Sequence, residues 1–115
     1  MSGMMTENGI LVRQGDSFDI TMHFKKKDGS DMDISNAQII LSVKDGSGSA
    51  VFLIEGDVTN GAQGKAVIKI TPAYSAIEVG EYEANIKVIF ANGDVHTIFP
   101  QDLSRNAMFK ISERA

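Results

Sequence analysis

From Glu78 to Gly93 the chain reads EVGEYEANIKVIFANG. Within it Tyr82, Ala84, Ile86, Val88 and Phe90 point one way, and Glu81, Glu83, Asn85 and Lys87 point the other. Successive side chains of an extended strand project to opposite faces, so a period of two with one apolar set predicts a strand with one buried side. Gly80 precedes it after a chain reversal, and Asn92 with Gly93 follows it as a hairpin signal.

Working outward, the same period recurs. Downstream, Val95, Thr97 and Phe99 alternate until Pro100, and a polar loop from Gln101 to Asn106 leads to Ala107, Phe109 and Ile111. Upstream, Ala66, Ile68 and Ile70 alternate with Lys65, Val67 and Lys69, and Pro72 ends that strand. Ala73 to Ile77 can hold one helical turn. Val51 to Ile54 is a short apolar strand, and Ala37, Ile39, Leu41 and Val43 alternate with Gln38, Ile40, Ser42 and Lys44. Phe18, Ile20, Met22 and Phe24 form another inward row, followed by Asp28-Gly29. Ile10 and Val12 suit a short edge strand, and Asn60, Gly61 and Gly64 punctuate a loop. Residues 1–9 read as a flexible lead, 10–112 as one domain and 113–115 as a tail.

About seven to nine short strands, spaced with turn residues between them, describe a sandwich or a small barrel. One constellation favours the sandwich. Glu78, Val79, Gly80, Glu81, Tyr82 has the form found at the start of strand F in immunoglobulin-type domains. There the tyrosine hydroxyl bonds back to upstream backbone as a tyrosine corner. Gly80 and Tyr82 are therefore candidate structural residues, and an ordinary inward tyrosine after a turn glycine is the plainer account. The expected fold is an all-β, immunoglobulin-like antiparallel β-sandwich.

The 115 residues hold no cysteine or tryptophan, and the formal net charge is −4. Without cysteine there is no disulfide, thiolate zinc site or cysteine nucleophile. The acidic balance argues against nucleic acid as a partner, which calls for a basic face. No segment approaches the length of a membrane span, and the first residues lack the basic and apolar regions of a signal peptide.

Chemistry-bearing patterns are sparse. His23 and His96 fall on the polar faces of their strands, with no G-x-S-x-G elbow to pair with either. Asp28, Asp31 and Asp33 cluster with Ser30, but the spacing lacks the EF-hand order, and turn chemistry explains these residues without calcium. Catalytic, cofactor-binding and metal-ligating residues are all expected to be none. Tyr74 looks like the exposed aromatic, which is little for stacking a sugar. Leu11, Ile40, Val67, Ile89 and Ile98 are apolar at expected wet positions. Of these, Ile89 and Ile98 are candidate contact residues, expected near each other across the Asn92-Gly93 hairpin.

The order of features has a family likeness. Val12 to Asp16 reads VRQGD, and Asp33 to Ala37 reads DISNA before a strand ending in Val43-Lys44. Gly64 to Thr71 reads GKAVIKIT, then come Gly80-Glu81-Tyr82 and a Gly93-centred hairpin running to Phe99-Pro100. Over about residues 10 to 112 this resembles the N-terminal immunoglobulin-like domain of tailed-phage baseplate upper proteins from phages and prophages of Gram-positive bacteria. The resemblance implies a non-enzymatic virion structural protein, made in the host cytoplasm, that contacts other tail or baseplate proteins and joins a homo-oligomer. Longer members continue into a coiled coil and a domain holding receptor-binding proteins. Only the first domain is matched here, so the expectation is either a stand-alone structural protein or an excised domain. The competing expectation, from the residues alone, is a ligand-binding sandwich of the carbohydrate-binding or adhesin type.

Overall fold

The computed structural model describes residues 3–6, 9–99 and 107–112. Within them the chain forms ten strands in two sheets. They are β1 (Gly3–Thr6), β2 (Gly9–Arg13), β3 (Phe18–His23), β4 (Gln38–Lys44), β5 (Ala50–Glu55), β6 (Asp57–Asn60), β7 (Lys65–Ile70), β8 (Gly80–Ile89), β9 (Val95–Phe99) and β10 (Ala107–Ser112). A 3-10 turn, Gly61–Gln63, joins β6 to β7, and one helical turn, α1 (Pro72–Ser75), joins β7 to β8. No helix among the described residues is long and apolar enough to cross a membrane.

The larger sheet runs β1-β2-β10-β8-β4-β5, with β9 also on β8; the smaller runs β3-β7-β6. β10 lies parallel to β2 and antiparallel to β8. The fold is an all-β, immunoglobulin-like sandwich. Its core is built from the inward rows: Ile39, Leu41 and Val43 of β4, Ala84, Ile86 and Val88 of β8, Ala66, Ile68 and Ile70 of β7, and Phe109 and Ile111 of β10. Each row alternates with wetter positions, so burial follows from the strand period. Phe52 bridges the rows, with its ring 5.7 Å from Phe109 and 5.3 Å from Tyr74.

Several details depart from the sequence expectations. Gly3–Thr6, expected as flexible lead, pairs antiparallel with β2. β2 is consequently an interior strand, with β1 on one side and β10 on the other, and Ile10 and Val12 are buried. β6, within the stretch that carries the loop signals, pairs with β7. Tyr74 is half-buried against Phe52. The tail 113–115 and the loop 100–106 lie outside the described residues.

Three turns share one construction. At 26–30, 45–49 and 90–94 the first N–H donates to the fifth carbonyl, and the fourth N–H donates back to the first carbonyl. The fourth residue is Gly29, Gly48 or Gly93, at φ 88, 87 and 93. This is the three-residue hairpin loop that places glycine in the left-handed region. Asn92 itself keeps a negative φ, so Asn92-Gly93 closes the hairpin without a two-residue turn.

Candidate functional site

The sequence-selected residues fall into two places, a structural corner and a sheet surface. At the corner, Tyr82 Oη donates to the Glu78 carbonyl at 2.7 Å, four residues upstream. Its ring is half-buried against the core, and on β8 it pairs directly with Phe109 of β10. Gly80 opens the strand and pairs with Ile111. Burial raises the Tyr82 pKa above the ordinary 10.0, and the carboxylates of Glu78 and Asp45 push the same way. A raised folded-state value means that the phenol stabilises the fold below pH 10 and stops doing so as pH rises through that value. Tyr82→Phe should cost about 1 kcal/mol at neutral pH. It should also remove part of the stability loss seen above pH 10, which melts of both proteins across that range would show. Equal alkaline losses would place the titrating group elsewhere.

A second tie sits at the same end. Ser75, fully buried, donates from Oγ to the Asp16 carbonyl at 2.6 Å, and Gln14 Nε2 donates to the Ile77 carbonyl at 2.8 Å. The Gln14-Gly15-Asp16 turn is thereby locked to the helical turn of α1. These bonds are scaffold.

The histidines lie apart from this corner. His23 Nε2 meets Asp31 Oδ1 at 2.8 Å, but the two side chains are 38% and 42% exposed. His96 is exposed, as its place on the wet face predicts, and sets its ring 5.3 Å from Phe90, edge to face.

The acidic cluster is occupied by its own turns. Asp28 Oδ1 accepts from Ser30 N and Oγ, and Asp33 Oδ1 accepts from Ser35 N. These bonds hold both carboxyls below the usual range, as the Ser47 and Ser49 donors do for Asp45. Among the described residues no three acidic or histidine side chains gather to hold a metal.

The contact pair is not brought together. Ile98 packs against the core, while Ile89 lies on the opposite face, across from Val95. The cause is a register break in β9. Ile86 pairs with Phe99 but Lys87 with Thr97, so Ile98 is an extra residue. A bulge of this kind shifts the alternation by one position. Thr97 and Val95 are exposed.

What does form is an outer face on the larger sheet. Cross-strand partners share a face, so its rows can be read from the register. One row is Gln38, Ile89, Val95; the next is Glu55, Ile40, Lys87, Thr97. Then come Leu53, Ser42, Asn85, followed by Lys44, Glu83, Met108, and finally Glu81, Lys110, Leu11. Leu53, Val95 and Met108 are 60%, 57% and 44% exposed. Leu11, Ile40 and Ile89, the apolar wet-face residues of the sequence, lie here too, whereas Val67 belongs to the other sheet. Every aromatic with a described side chain is buried or half-buried, so this surface offers aliphatic contact and no ring for a sugar to stack on. No protein-family model matches the chain, and no curated protein matches it.

Proposed function

We propose that this domain is a non-enzymatic structural module of a tailed-phage or prophage baseplate, acting in the virion tail by protein–protein contact. The observation that carries the contact role is the outer face of the larger sheet. Leu53, Val95 and Met108 stand out from it between lysine and glutamate side chains of both signs. Apolar side chains in a mixed-charge setting suit another protein surface, where burial supplies affinity and the charges set orientation. The tail assignment draws on the resemblance of VRQGD, DISNA, GKAVIKIT and GEY.

The test is reconstitution with purified baseplate proteins of a tailed phage from a Gram-positive host. Co-elution with a tail component is expected. Joint replacement Val95→Lys and Met108→Lys should weaken that association about tenfold or more. The melting temperature should barely move, because surface changes of this kind stay within about 0.5 kcal/mol. Binding to no tail component, together with specific glycan binding on an array, would favour the ligand-binding sandwich.

A further inference from the structure

Among the described residues the larger sheet ends on β5, which has a partner strand, β4, on one side only. An edge strand turns alternate N–H and C=O groups outward, ready to pair with another extended chain. Folded proteins blunt such edges with charges, proline or short length. The smaller sheet follows that practice: edge strand β3 carries Asp19 and His23, and β6 spans four residues with Asp57 and a register break. β5 does not. It reads AVFLIE, with no charge, proline or glycine from Ala50 to Ile54. Its central outward side chain, Leu53, is the most exposed of the large apolar residues, at 60%.

We infer that β5 is a self-association edge, at which a second copy of this chain adds its own β5 antiparallel about a two-fold axis through Leu53. The argument for a second copy is complementarity. Phe52 and Ile54 face inward, and Leu53 and Glu55 face outward, as their β4 partners do. A two-fold at Leu53 sets Leu53 against Leu53 and Phe52 against Ile54, so the inner and outer faces of the two copies run on across these three positions. Glu55 of one copy then lies opposite Val51 of the other. Val51 is the extra residue beside the Lys44–Ala50 pair, so no like charges meet there. The two larger sheets become one continuous sheet. This inference rests on the proposed contact role and names one of its partners.

The chain has no cysteine, so a single introduced thiol reports on one position. Directly opposed residues of an antiparallel pair bring their side chains within reach of a disulfide. Leu53→Cys, oxidised with glutathione disulfide, should give a covalent dimer, whereas Val95→Cys, equally exposed on the same face but away from the edge, should not. Wild-type protein should show concentration-dependent dimerisation in sedimentation velocity. Leu53→Lys, which opposes two lysines at the axis, should weaken it about tenfold or more with an unchanged melting temperature. A wild type that stays monomeric at all concentrations overturns the inference. So does a dimer indifferent to Leu53→Lys, or one that cross-links through Val95→Cys and not Leu53→Cys. Tail-component binding is measured separately with the Val95→Lys, Met108→Lys protein, whose β5 edge is unchanged, so failure of self-association and failure of the tail contact are told apart.

Discussion

Gly64→Ala is expected to leave little or no native protein, at a cost above about 4 kcal/mol. Two effects combine. Gly64 has φ 72, and a side chain in that left-handed region costs about 1 kcal/mol by itself. The larger effect is crowding. A Cβ on Gly64 would stand 2.4 Å from the Phe24 carbonyl oxygen and 2.6 Å from that of Met32. Both obstacles are backbone, and both are tied down. Phe24 N donates to the Gly64 carbonyl at 2.8 Å, and Met32 N donates to the Phe24 carbonyl at 3.0 Å. Relief therefore requires breaking the seam that joins the 24–34 loop to the start of β7. A domain of this size has about 5–15 kcal/mol in total, so the variant should be recovered as aggregate or as an unfolded chain. Gly29→Ala is the control. Its φ is 88, yet nothing lies within 4 Å of an added Cβ, so it should lose only the conformational term of about 1 kcal/mol. Urea unfolding of both variants separates the effects. Similar losses at the two sites would show that the close approach at Gly64 is unimportant.

Phe109→Ala is expected to destabilise by about 3–5 kcal/mol. Phe109 is fully buried. It sits on β10 between Ile10 of β2 and Tyr82 of β8, with its ring edge-on to Phe52 at 80°. Truncation leaves a cavity where three strands and β5 meet, in addition to the lost transfer energy. Phe109→Leu keeps most of the volume and should lose about 1.5 kcal/mol or less. Urea denaturation gives both values, provided the slope is unchanged. If alanine and leucine cost the same, the site relaxes around the gap and the ring packing contributes little.

Much of the fold was legible because it follows from local spacing. The period-two rows of β3, β4, β7, β8 and β10 show in the sequence as the residues that become the core. The Pro72 break and the Asp28-Gly29 and Asn92-Gly93 turns were readable from residue type, as was the Tyr82 motif whose hydroxyl reaches Glu78. The failures share a cause. β1 and β6 have no side-chain period because their strand character comes from backbone pairing to β2 and β7. In β9, Val95-His96-Thr97-Ile98-Phe99 has apolar residues in both phases, and the bulge at Ile98 decides which phase faces inward. Tyr74 looked exposed because nothing adjacent in sequence predicts that Phe52 packs on it.

By itself, then, the sequence determined that this is an acidic, cysteine-free β domain with its hydrophobic rows already sorted to one side of each strand, because alternation is a property of the extended chain alone. The tertiary structure decided which strands lie at the edges, which way β9 faces and which glycines have no room for a methyl group. It also decided that Leu53, Val95 and Met108 share one open face while Ile98 does not. Those features depend on pairing between segments far apart in the chain, and one residue of register reverses them.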